Sequence, residues 1–94
     1  MRLLNVPEPL RVRAVCAAQP RLGSLTVGVM RTEPGDDAPF ARLLVRGDDE
    51  VQDVTLAAGE SVEIKGHGRL TVEHVVASTR DRRGWVDLLL QPAG

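Results

Sequence analysis

Both histidines of the chain, His67 and His74, fall in one stretch, IKGHGRLTVEH, with the single lysine, Lys65. Paired histidines suggest metal binding or proton transfer. A zinc ion needs its ligands within about 2.0–2.2 Å. The LTVEH run alternates as a strand does, and seven residues of strand span roughly 20 Å. The two side chains therefore share no metal, and the lone Cys16 on another segment does not complete a set. His67 stands between Gly66 and Gly68, which supply the positive φ angles of a tight turn. An exposed turn residue is expected there. His74 shares parity with Leu70, Val72 and Val76, so it is expected to point inward. It would be a satisfied core histidine or a pH-sensitive, ligand-lining residue.

The other reactive side chains lack the company that chemistry needs. Cys16 would need a base within reach to act as a nucleophile. Beside Ala14 and Ala18 it reads as a buried thiol. Ser24, Ser61 and Ser78 have no nucleophile-elbow context. Two acidic clusters, Glu33, Asp36 and Asp37, then Asp48, Asp49, Glu50 and Asp53, flank the segment 40–46. They would lie at opposite ends of a strand, too far apart for a carboxylate pair. Neither has EF-hand spacing, so both are expected to be solvated loops. The RGD at Arg46 to Asp48 falls in a predicted turn and reads as chance in a chain rich in Arg and Asp. Gly66-His67-Gly68 lacks the phosphate-loop pattern. STRDRRG gathers Arg80, Arg82 and Arg83, which either hold an anion through forked guanidinium contacts or decorate a charged hairpin tip. No catalytic residue, metal site or cofactor is expected, and the chain is read as a non-enzyme.

The elements that position these residues follow from alternation with period two, the mark of half-buried strands. Leu10, Val12, Ala14 and Cys16 share a face; so do Leu25, Val27 and Val29; Ala41, Leu43 and Val45; Val54 and Leu56; Val62 and Ile64; Leu70, Val72 and Val76; and Val86, Leu88 and Leu90. AQPRLG, TEPGDDAP, RGDDE, AAGE, KGHG and TRDRRG punctuate them. No segment has a sustained helical period. About seven strands predict an all-β antiparallel sandwich, with a small barrel as the alternative.

Parity suggests four hairpins. They pair Ala14 with Val27, Leu43 with Val54 across a turn at Gly47 to Glu50, Ile64 with Leu70 and Val62 with Val72, and His74 with Leu88 and Val76 with Val86. The longest break, 32–39, is expected to be a sheet-to-sheet crossover or a flexible loop. Trp85 then faces away from Val86, Leu88 and Leu90, in an outer strip with Val75, Ala77 and Leu89. That strip is a candidate interface, unless the N-terminal RLLNV segment covers it.

Composition narrows the class. Ninety-four residues make a single domain, 1–94, with one modest core. A net charge near −1 lacks the positive field of a nucleic-acid binder, and two aromatics, Phe40 and Trp85, cannot stack a single strand. No apolar run reaches a membrane span, and MRLLNVPEPL lacks signal-peptide organisation. One cysteine forms no internal disulfide, so a cytoplasmic protein is expected.

The stretch LLVRGDDEVQDVTLAAGESVEIKGHGRLTVEHVVASTRDRRGWVDLLL joins a polar hairpin, L-x-x-G-E, a Gly-rich turn and L-x-V-x-x-V before a closing apolar strand. In this it resembles small uncharacterised β domains of actinobacteria. Eleven arginines against one lysine agree with a GC-rich coding bias. The resemblance covers about half the chain and implies no activity and no functional residues. The expected function is a protein-interaction or assembly module contacting a protein partner or a second copy, through edge-strand pairing or the Trp85 face. The alternatives are a small-ligand or anion-binding domain, through His74 or the Arg80 to Arg83 tip, and a subunit of a larger, phage-like assembly.

Overall fold

Alternating apolar residues favour extended chain because every second side chain can then leave water on one face. The structure, a computed structural model, describes residues 8–92. Eight strands form: β1 (Leu10–Val15), β2 (Arg21–Leu22), β3 (Leu25–Glu33), β4 (Phe40–Arg46), β5 (Val51–Ala57), β6 (Ser61–Ile64), β7 (Gly68–Val76) and β8 (Trp85–Pro92). They make two antiparallel four-stranded sheets. Sheet A runs β1-β8-β7-β6 and sheet B runs β2-β3-β4-β5. The sheets face each other as a sandwich and do not close into a barrel. The strand beyond the expected seven is the two-residue β2. Among the described residues no helix is long and apolar enough to cross a membrane.

The core is the meeting of the two inner faces. Leu25, Val27, Val29, Leu43 and Val45 of sheet B pack against Leu70, Val72, Val86 and Leu88 of sheet A, all essentially without exposure. Thr32 is the one buried polar residue among those described. Its hydroxyl shares a 2.7 Å hydrogen bond with that of Ser78, and its carbonyl accepts from Ser78 N–H at 3.2 Å. Burial of an unpartnered hydroxyl would be costly, and this pair removes that cost while tying the two sheets together.

The β4–β5 hairpin forms as expected, with Leu43 opposite Val54 and Gly47 N–H bonding Glu50 O across the turn. Other pairings differ. β1 does not pair with β3; it lies against β8, with Ala14 opposite Val86 and Val12 opposite Leu88. Adjacent strands in sequence are the usual partners, but here the chain turns out of sheet A at Ala17, which adopts φ +80°. Residues 16–20 then cross to sheet B, where Ala17 N–H bonds Val29 O at 2.7 Å and Ala18 O accepts from Val29 N–H at 2.9 Å. The second crossover is at residues 58–60. Segment 32–39 is neither crossover; its loop joins β3 and β4 within sheet B. In the β6–β7 hairpin the turn is tighter than expected, so Ile64 meets Gly68 and Val62 meets Leu70.

Two strands carry register shifts, between Val29 and Arg31 in β3 and between Val72 and His74 in β7. A bulge inserts one residue and inverts the parity beyond it. In β7 it sends both Glu73 and His74 outward and turns Val75 inward.

Candidate functional site

The β7 bulge rewrites the outer face of sheet A. Val75, expected in the outer strip, is 8% exposed and belongs to the core; Val76 takes its place outside. His74, expected inward, is exposed, because an uncompensated buried imidazole would cost more than one irregular rung. Ala77 lies beyond the end of β7 and is half-buried. Leu89 remains on the outer face between Arg11 and Thr71 and is nearly covered.

Cross-strand register stacks this face into rungs. The first is Val15–Trp85–Val76, with Val15 46% exposed and Trp85 half-buried. The second is Arg13–Asp87–His74. Arg13 grips Asp87 through two bonds, Nε to Oδ1 at 2.8 Å and Nη2 to Oδ2 at 3.1 Å. The same guanidinium lies over the Trp85 ring, 3.9 Å from its centroid. His74 Nδ1 bonds Asp87 Oδ2 at 3.1 Å, and Arg11 reaches Glu73 at 3.2 Å. A carboxylate thus fixes an arginine, and the arginine holds an indole flat. RLLNV, the alternative cover named for this face, lies outside the described residues.

Asp87 has a depressed pKa, chiefly because of the Arg13 hydrogen bonds, opposed by partial burial and assisted by His74. A depressed carboxylate stabilises the fold fully above its unfolded pKa, near 4, and loses that contribution as pH falls through the folded value. Asp87→Asn should therefore lower the urea midpoint at neutral pH. The gap from wild type should narrow below about pH 4 and close once Asp87 is protonated in both states. A gap independent of pH would mean that the charge on Asp87 is not what matters.

The depression beside this cluster, about 320 Å³, is lined by Arg11, Arg13, Glu73, His74 and Asp87. Its charges are already matched to one another, so none is left over to anchor an anion. Arg80, Arg82 and Arg83 are exposed on a loop whose backbone is well tied. Thr79 N–H bonds Arg82 O, and Thr79 Oγ1 accepts from Asp81 and Arg82 N–H. The three guanidiniums make no ion pair among the described residues, and Asp81 between them closes none.

His67 is not the exposed turn residue expected. Gly66 and Gly68 adopt φ +82° and +130°, as the tight turn requires, but the ring is half-buried. Its Nδ1 shares a 3.0 Å hydrogen bond with Ser24 Oγ, and its Nε2 lies where a Cβ on Gly47 would approach to 3.0 Å. Three turns converge here around a cavity of about 400 Å³ lined by Asp48, Asp49, Glu50 and Lys65. Sequence reasoning missed this convergence because no single stretch contains it. A serine and a histidine in contact resemble a nucleophile and its base, but the other ring nitrogen faces Gly47 and, among the described residues, no carboxylate bonds it. Among the described residues no three metal-ligating side chains gather. Cys16 is half-buried, with Sγ directed at Met30 O at 3.6 Å.

Compared with protein-family models, curated proteins and solved structures, the chain matches none.

Proposed function

We propose that the chain is a non-enzymatic protein-interaction or assembly module whose contact surface is the outer face of sheet A around Trp85. The observation that carries this reading is the Val15–Trp85–Val76 rung beneath a fixed Arg13. Trp and Arg are the side chains most often found as binding anchors. An anchor already held in place loses less freedom on contact. The apolar rung closes one end of sheet A and borders the polar Arg13–Asp87–His74 and Arg11–Glu73 groups, so apolar and charged side chains adjoin on one face, the mixture a protein interface uses. A role as subunit of a larger assembly would use the same face. We place the protein in the cytoplasm on its cysteine usage.

The test is native isolation of the full tagged chain from its source cells. A second protein in fixed ratio is expected, and Trp85→Ala or Val15→Lys should remove it while both variants stay folded. Val15 is already exposed, so the lysine perturbs the surface and not the core. Retention of the same protein by both variants, or isolation of the chain alone, would contradict the reading.

A further inference from the structure

Among the described residues β5 is an unpaired edge strand of sheet B, the other edge being β2. Its backbone bonds show which groups face outward. Glu50 O accepts from Gly47, and Ala58 N–H donates to Pro39 O, so even-numbered residues address the β4 side. Ala57 is in the opposite phase, with its N–H on Glu60 Oε1 at 2.7 Å and its carbonyl accepting from Glu60 N–H at 3.0 Å. Bonding direction alternates along an antiparallel strand. Gln52, Val54 and Leu56 therefore bond β4, while Val51, Asp53 and Thr55 turn N–H and C=O to the open side.

Free edges are normally blunted by brevity or charge. β2 has two residues and β6 has four. β1 carries Arg11 and Arg13; every face-matched antiparallel register that overlaps four or more of its residues with a second β1 sets arginine opposite arginine. β5 has seven residues and one charge, Asp53, which Arg42 neutralises through bonds of 3.0 and 2.7 Å. Val51 is 63% exposed. Val54, and Val62 on β6, pack on the core yet remain half-buried.

We propose that β5 pairs antiparallel with β5 of a second copy about a two-fold axis at Val54, joining two B sheets into one of eight strands. The register that overlaps all seven residues sets Val51 opposite Ala57 of the partner subunit, and Asp53 opposite Thr55 of the partner subunit. No like charges meet, and a carboxylate faces a hydroxyl. The outward groups of Asp53 and Thr55 exchange four backbone hydrogen bonds, while Ala57 keeps its bonds to Glu60. The contact is isologous, so it closes as a dimer. It is separate from the Trp85 face and does not depend on the reading given to that face.

Val54 would form the non-hydrogen-bonded pair on the axis, with Cα atoms about 4.5 Å apart. That lies inside the range of about 4.4–6.8 Å that a disulfide spans. In a Cys16→Ala background, Val54→Cys should oxidise to a covalent dimer. By light scattering, wild type should approach twice the chain mass as concentration rises, and Trp85→Ala should do the same. Thr55→Pro should stay at monomer mass with an unchanged far-UV spectrum, because the N–H it deletes faces outward and proline is tolerated at such edge positions. Monomeric wild type at every concentration would overturn the proposal, as would a dimer that survives Thr55→Pro or disappears with Trp85→Ala. If Val54→Cys fails to fold, the mass measurements decide alone.

Discussion

Gly84→Ala should destabilise the protein by about 3 kcal/mol or more, among the largest effects available to a single methyl group. Gly84 is buried where three segments meet. Its N–H bonds Ser78 Oγ and its carbonyl accepts from Cys16 N–H, both at 2.9 Å. A Cβ there would overlap the Val76 carbonyl oxygen and the Thr32 hydroxyl and lie 2.6 Å from Ser78 N. Two of those atoms are backbone and cannot rotate away. The junction also holds the Thr32–Ser78 tie, so relief of the clash would break a buried hydrogen bond. In a domain of this size the melting midpoint should fall by more than about 12 °C. Gly59→Ala is the control. That position has φ +90° and open space around the would-be Cβ, so its cost is conformational, about 1–2 kcal/mol. A Gly84→Ala loss no larger than that of Gly59→Ala in parallel melts would mean that the β7–β8 loop does not pack as described.

Trp85→Ala should weaken partner binding at least about 30-fold, the equivalent of a hot-spot loss of about 2 kcal/mol. The indole is half-buried on an outer face, so its removal opens no closed cavity. Stability should fall less than for the fully buried Leu88→Ala, where about 2–5 kcal/mol is expected. Arg13→Lys should have a smaller effect of the same kind, because lysine keeps the charge but loses the two-pronged grip on Asp87 and the flat stack on the ring. Titration calorimetry against the isolated partner, with thermal melts of each variant, separates the two quantities. A Trp85→Ala protein that binds normally but melts early would make the indole a packing residue.

Much of the architecture is readable from alternation. Leu43, Val54, Leu70, Val86 and Leu88 face the way their parity dictates, and the turn at Gly47 to Glu50 is where Gly and Asp mark it. Errors arise where the period breaks. Strict parity carries His74 inward and Val75 outward, and one bulge inverts both. A signal for it does exist: Glu73 and His74 are adjacent polar residues between Val72 and Val75, a spacing that suits a bulge better than a regular strand. The partner of β1 was not legible. Pairing by chain proximity favours β3, and nothing in CAAQP announces that Ala17 turns the chain toward the other sheet. The candidate site divides the same way. Trp85 stands out as an outward aromatic, but its clasp by Arg13, which Asp87 holds in place with His74 beside it, depends on the register of three strands, one of which, β1, is distant in sequence from the other two. The His67–Ser24 contact needs turns from both sheets to meet.

The measurement that most directly tests the interaction reading is site-specific photo-crosslinking in living cells. A benzophenone side chain at Val15, beside Trp85 on the outer face of sheet A, is compared with one at Arg46 on sheet B, exposed as well. A discrete protein adduct from position 15, absent from position 46 and lost on adding Trp85→Ala, is the predicted result. No protein adduct from position 15, or equal adducts from both positions, would contradict it.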